Sequence, residues 1–270
     1  MLSTKSTKHN GDTSKQTWEW SKNPKFMYFC DNETVHGVEW DKLPTEVGNA
    51  PYTHSEVPIV CDMSSNFLSR RVDVRKYAFI YGGAQKNIGP AGVTICIVRD
   101  DMLELHRQKA HVHHVPPMFD YLIAAENNSM YNTPPTFSIY MAGLGFEWML
   151  ENGGVNWIEN LNAKKSSELY DFVAASDGFY TLPVKQLRSR MNIPIRISKG
   201  EESEKKFLKE AEVSNLLQLA GHRRYKCIIV IFLTSSVGGL RVSLYNAMSM
   251  EGVQELLAFM KRFQEQNMAQ

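Results

Sequence analysis

Two side chains 24 positions apart open a chemical reading of this chain: Asp62, ending the apolar run Pro58 to Asp62, and Lys86, a few residues past the apolar run Tyr77 to Tyr81. If both runs are strands of one sheet, a carboxylate and an amine arrive at the same edge. Such a pair suits pyridoxal phosphate chemistry. The amine forms an imine with the aldehyde, the carboxylate keeps the ring nitrogen protonated, and the ring serves as an electron sink. An Asp and a Lys at strand ends also occur in many α/β proteins, so a solvated lysine and a turn aspartate stand as the alternative at this point.

The elements that must position these groups follow from pattern. Short β-rich runs alternate with helical periods, which predicts an α/β fold. Strands are expected at Phe26 to Cys30, Pro58 to Asp62, Tyr77 to Tyr81 and Val93 to Val98, the last two joined by the glycine-rich stretch Gly82 to Gly92. Thr133-Pro134-Pro135 then opens a helix, with Thr133 as N-cap, that runs to Gly153-Gly154. A second helix is expected from Val155 to Ala175, with Ile158, Leu161, Leu169 and Phe172 on one face. This helix pair would connect two domains. Beyond it lie expected strands at Gly178 to Val184, Ile193 to Ile197 and Leu240 to Tyr245, and helices at Glu204 to Val213 and Glu251 to Gln264, a small α+β domain.

Composition narrows the function classes. A chain of 270 residues with 43% apolar content can bury a substantial core. Thirty basic against 29 acidic side chains leave a formal charge of +1, so no net field draws the protein to nucleic acid or an anionic membrane. The longest apolar run, Cys227 to Leu233, falls far short of the roughly 20 residues that span a bilayer. Cys30, Cys61, Cys96 and Cys227 lie far apart, and Cys61 and Cys96 read as core thiols of a reducing, cytoplasmic setting. His106, His111, His113 and His114 lack the acidic or cysteine partners of the usual metal site, and none is expected. Residues 1–17 read as a disordered tail, with an organelle transit peptide the rarer alternative.

A set of ordered segments carries a resemblance. Asn32 to Glu39 (NETVHGVE), Asp62 to Phe67 (DMSSNF), Gly83 to Gly89 (GAQKNIG) and Tyr131 to Pro135 (YNTPP) resemble signature segments of the phosphoserine aminotransferase family. Met191 to Pro194, Gly221-His222-Arg223 and Gly238 to Ala247 resemble its C-terminal part, and the likeness runs from about Trp18 to the end. Ala84-Gln85-Lys86 stands where the related cysteine desulfurases carry Ser-His-Lys.

The resemblance implies a class-V, fold-type I, pyridoxal-phosphate-dependent aminotransferase. It would be a cytoplasmic homodimer with active sites at the subunit interface, moving the amino group of glutamate to 3-phosphohydroxypyruvate. The products would be O-phosphoserine and 2-oxoglutarate, on the route to serine. It further implies Lys86 as Schiff-base lysine and proton shuttle, Asp62 on the pyridine nitrogen, Thr34 on the ring-hydroxyl side and Gln85 against the cofactor phosphate. Asn132 and Thr133 would reach the cofactor phosphate of the neighbouring subunit, and His222, Arg223 and Arg241 would bind the anionic groups of the substrate. Arginine suits that last task, because its planar fork pairs bidentately with carboxylate or phosphate. By residue type alone, Thr133 could be only a cap, Asn132 only a turn residue, and Arg223 and Arg241 solvated charges.

Measured against the family, the expected layout is a disordered tail over 1–17, part of a large cofactor-binding domain over 18–160, and a small C-terminal domain over 161–270 with an insertion at 224–235. The family's long N-terminal portion, with its glycine-rich phosphate turn and ring-stacking aromatic, has no counterpart before Trp18. Weakened cofactor affinity is the expected consequence. The rival expectation is a catalytically impaired truncated isoform that acts only by associating with full-length subunits.

Overall fold

The computed structural model describes residues 20–46, 50–109, 115–217, 219 and 239–268. In chain order the elements are β1 (Met27–Cys30), the short pair β2 (Asn32–Glu33) and β3 (Val38–Glu39), β4 (Ile59–Asp62), β5 (Phe79–Gly83) and β6 (Thr94–Val98). Then come α1 (Asp100–Lys109), α2 (Tyr121–Glu126), α3 (Thr136–Glu151), α4 (Gly154–Ala174), β7 (Tyr180–Thr181), β8 (Asn192–Ile197), α5 (Glu201–Val213), β9 (Leu240–Ser243) and α6 (Met250–Met268). The insertion expected at 224–235 and the tail at 1–17 lie outside the described residues.

Four strands form the first sheet in the order β1-β4-β5-β6, with β1, β4 and β5 parallel and β6 antiparallel to β5. Every second residue of the parallel strands points inward: Met27 and Phe29, Ile59 and Cys61, then Ile80. Phe29, Ile59, Cys61 and Ile80 pack with Leu43, Met63, Phe67 and Tyr77 into one core. Parallel pairing has a functional consequence, because it puts the carboxyl ends of three strands on one edge, where α/β sheets bind ligands. The strand expected over 77–81 is displaced to Phe79–Gly83. Tyr77 instead closes a 3-10 turn with its N–H on the Val74 carbonyl, so pairing starts beyond it.

The second sheet is antiparallel, β7-β8-β9. Its core gathers Ile193, Ile195 and Ile197 of β8, Leu240 and Val242 of β9, Phe207 of α5 and Val253, Leu256, Phe259 and Phe263 of α6. The strand expected over 178–184 shrinks to two residues. Pro183 has no N–H to donate, and pairing ends at Thr181 opposite Arg196.

Helix α4 joins the two halves. Its 21 residues span about 31 Å, with Asn162 bonded to the Ser69 carbonyl near the first sheet and Leu169 and Val173 in the second core. The division expected at 160/161 thus falls inside an unbroken helix. α3 begins at Thr136 with Pro135 in the cap position and no side-chain cap bond, so Thr133 is not its N-cap. Consecutive prolines account for this, since a residue before proline is kept out of the helical region.

Candidate active site

Lys86 lies on a tight turn leaving β5. Ala84 is fully buried and its carbonyl accepts the N–H groups of Ile88 and Gly89 (3.1 and 2.9 Å), which folds the turn back on itself. α3 supports it from outside: a Cβ on Gly145 would stand 2.8 Å from the Ile88 carbonyl oxygen, so only glycine permits this approach. The turn therefore holds the half-buried Lys86 with its amine donating to Thr34 Oγ1 at 2.9 Å.

Asp62 ends β4, directly opposite Tyr81 on the neighbouring strand. One carboxylate oxygen accepts the Ser64 N–H (2.8 Å) and the other the Tyr81 hydroxyl (3.1 Å). An ionised carboxylate offers about four lone-pair sites, so two donors leave room for another. Burial, the Tyr28 hydroxyl and the negative charge of Asp62 together push the Tyr81 phenol far above its ordinary range, keeping it a neutral donor.

Thr34 belongs to the β2–β3 segment, whose place is fixed by packing rather than by strand length. Gly37 has φ of +70°, and a Cβ there would meet Pro194 Cδ at 2.3 Å and the Asn192 carbonyl oxygen at 2.6 Å. The segment is thereby pressed onto β8, with Ser189 N–H bonding the Gly37 carbonyl (2.9 Å). At its start, buried Asn32 donates to Ser65 Oγ (2.7 Å) and to Asn192 Oδ1 (2.9 Å) and accepts from Ser189 Oγ (2.5 Å). Arg241, on β9, reaches across to the Thr34 carbonyl (3.4 Å), and its Nε is buried without a hydrogen-bond partner among the described residues. Thr34 thus receives the lysine amine at its hydroxyl and the guanidinium at its carbonyl.

Other expected site residues are placed differently. Gln85 is exposed beside the lysine and folds over Gly83, where a Cβ would meet its Oε1 at 2.5 Å. Asn132 and Thr133 are exposed ahead of α3 and are not hydrogen-bonded to Lys86, Asp62 or Thr34 among the described residues. His222 and Arg223 lie outside the described residues, as do His111, His113, His114 and Cys227. Cys61 is buried as expected, whereas Cys96 is exposed on β6, because the outer face of that strand is uncovered. Burial, with the nearby Asp62 charge, raises the Cys30 thiol to about 12, so it is no nucleophile at neutral pH.

Sequence reasoning missed three buried charged side chains, Asp31, Glu39 and Lys165. Asp31, at 2% exposure, accepts from Arg70 (2.6 Å) and Asn66 (2.5 Å), while Glu39 accepts from Asn66 and the Arg190 N–H. This cluster clamps both ends of the β2–β3 segment. Lys165 of α4 is fully buried, and its amine donates to the carbonyls of Leu244, Tyr245 and Met248 (3.2, 3.0 and 3.0 Å). A lysine in mid-helix normally reads as solvated, so only its place between apolar neighbours could have hinted at this.

Comparison with known proteins matches residues 3–256 to the Aminotransferase class-V family. A phosphoserine aminotransferase from Laribacter hongkongensis (strain HLHK9) is 47% identical over 255 residues, covering 94% of this chain and 64% of that protein. The structure of phosphoserine aminotransferase from Bacillus circulans subsp. alkalophilus superposes with a TM-score of 0.77 at 38% identity, covering 92% of this chain and 62% of that one. That of PLP-bound phosphoserine aminotransferase from Trichomonas vaginalis gives a TM-score of 0.74 at 37% identity, covering 90% and 62%. The chain therefore spans less than two thirds of the length of these relatives.

Proposed function

The chain belongs to the Aminotransferase class-V family, and from that premise we propose that it is a pyridoxal-phosphate-dependent phosphoserine transaminase. It would move the amino group of glutamate to 3-phosphohydroxypyruvate in serine biosynthesis. The observation that carries this reading is the meeting at Thr34 of the Lys86 amine and the Arg241 guanidinium, a reactive amine beside a reader of anions.

The residues fit the cofactor. Asp62 has acceptor capacity left for a protonated ring nitrogen, Gln85 stands open beside Lys86, and the Nε of Arg241, buried and without a partner among the described residues, suits an anionic group. Pyridoxal phosphate, when bound, supplies the electron sink that lets the bond from the amino-bearing carbon to hydrogen break. Lys86 would hold the cofactor and carry a proton between carbons, and Thr34 would keep its amine in line. Asp62 would preserve the ring's charge, and Arg241 would orient a substrate carboxylate. His222 and Arg223 would join it, while Asn132 and Thr133 would serve the cofactor phosphate of a second subunit in a homodimer.

In this reading residues 18–160 form a cofactor-binding part and 161–270 a small C-terminal part. A cytoplasmic setting goes with it, in keeping with the unpaired thiols of Cys30, Cys61 and Cys96. Among the described residues no helix is long and apolar enough to cross a membrane.

The test is turnover of the purified chain with pyridoxal phosphate, glutamate and 3-phosphohydroxypyruvate. O-phosphoserine and 2-oxoglutarate should form together, and Arg241→Lys should raise KM by roughly tenfold with a smaller effect on kcat, because a fork is replaced by a point charge. Folded protein that forms neither product would overturn the proposal. A second reading, association without turnover, is favoured by the outward apolar residues of α3, Phe137, Tyr140, Leu144 and Leu150. It predicts a complex with an active, longer subunit and no product from this chain alone.

A further inference from the structure

Three consecutive backbone carbonyls just past Asp62 are each read by a different asparagine. Phe67 O accepts from Asn87 Nδ2 (2.7 Å), Leu68 O from Asn246 Nδ2 (3.1 Å) and Ser69 O from Asn162 Nδ2 (3.0 Å). The three asparagines are also linked to one another, in one case through a backbone amide. The Asn246 N–H donates to Asn87 Oδ1 (2.8 Å), and Asn162 Nδ2 donates to Asn246 Oδ1 (2.8 Å). All three side chains are buried, at 7, 3 and 0% exposure.

Each asparagine comes from a different part of the machinery. Asn87 follows Lys86 on the lysine turn, Asn246 follows β9 with its Arg241, and Asn162 lies on α4, which touches both halves. The carbonyls they read belong to the turn that leaves Asp62. At the centre of that turn Leu68 has φ of +57°, a left-handed conformation unusual for a branched, bulky residue. Such a conformation persists where surrounding contacts over-determine it, and here the three carboxamides do so.

We infer that Asn87, Asn162 and Asn246 are positioning residues: a three-carboxamide clamp on the 67–69 carbonyls that fixes the Lys86 turn, the Asp62 exit and the Arg241 strand as one unit. The clamp sets the separation at which the amine and the guanidinium converge on Thr34. It rests on the transaminase reading for the roles of Lys86 and Arg241, but the mechanical coupling stands on the hydrogen bonds alone. All the bonds from Asn162 run through its Nδ2, while its Oδ1 is buried with no partner among the described residues, so the two Nδ2 bonds alone hold this carboxamide in one orientation, and losing either leaves a buried carbonyl without its donor.

Asn162 gives the cleanest test, since among the described residues its side chain hydrogen-bonds neither Lys86 nor Arg241. Amide hydrogen exchange of the full chain without cofactor is compared for the unmodified protein, Asn162→Ala, the milder Asn162→Ser, and Phe207→Leu as a remote core control. The clamp predicts that both Asn162 variants speed exchange at Ile88, Gly89 and Asn246 roughly tenfold and leave Ile193 and Ile195 nearly unchanged, whereas Phe207→Leu, in the core that holds Ile193 and Ile195, does the reverse. In cofactor-loaded protein the same variants should raise KM for glutamate more than they lower kcat, and Phe207→Leu should alter neither. Equal acceleration at both sets of amides in the Asn162 variants, or none at the lysine turn, would overturn the inference. A chain that takes up no cofactor would count against the transaminase reading only, because the exchange result decides the clamp without it.

Discussion

Lys165 shows how one side chain can set a pH dependence. Burial pulls its amine down from 10.5 to about 8, although three carbonyl oxygens accept from it. Its folded pKa lies below the unfolded one, so the unfolded chain still binds a proton that the folded chain has released between about pH 8 and 10.5. The stability contributed is therefore least below pH 8 and grows as pH rises through that window, by at most about 3 kcal/mol. Urea unfolding of the unmodified protein and Lys165→Met at pH 7 and pH 10 should show the difference between them move toward the unmodified protein at the higher pH. A difference that stays flat would mean the amine is held protonated by its carbonyls throughout. At this scale the sequence was legible where a residue type announces its chemistry. The strand-end positions of Lys86 and Asp62 could be read from the sequence, where a solvated lysine and a turn aspartate stood as the alternative, and Thr34 and Arg241 came forward only through the family likeness. Asn87, Asn162 and Asn246 were silent, because an asparagine carries no periodic signal and its role exists only in tertiary contact.

The β2–β3 segment makes the corresponding argument for elements. It carries Thr34, yet each strand has two residues, too few for any alternation to register. What holds it is Gly37 pressed against Pro194 and the Asn192 carbonyl, with the Asp31, Arg70 and Glu39 cluster at its ends. Gly37→Ala adds a Cβ where backbone stands at 2.6 Å and places alanine at φ +70°, so a loss of about 2–3 kcal/mol is expected. Thermal unfolding checks the cost. A loss of cofactor affinity larger than that from an equally destabilising change in the second core would locate the damage at Thr34, and an unchanged melting temperature would show that the segment is not wedged as described. Longer elements were readable, since β4 alternates inward and outward and α4 repeats its apolar positions at helical spacing. Helices α1 and α2 were not read, as α1 buries none of its side chains and α2 only Leu122, leaving little of a face to detect.

On the scale of the molecule, two sheets with separate cores meet along α4 and the asparagine clamp, and the candidate site lies where they meet. Parallel pairing of β1, β4 and β5 brings Asp62 and the Lys86 turn to one edge, while β9 brings Arg241 from the other half. That division of labour turns on Lys86, the amine on which the proposed cofactor would be held. The most direct measurement loads the full chain with pyridoxal phosphate, reduces it with borohydride and locates the adduct by peptide mass spectrometry, with Lys86→Ala in parallel. A stoichiometric adduct is expected on the peptide containing Lys86, and none in the variant. An adduct spread over surface lysines, or one unchanged by Lys86→Ala, would contradict it.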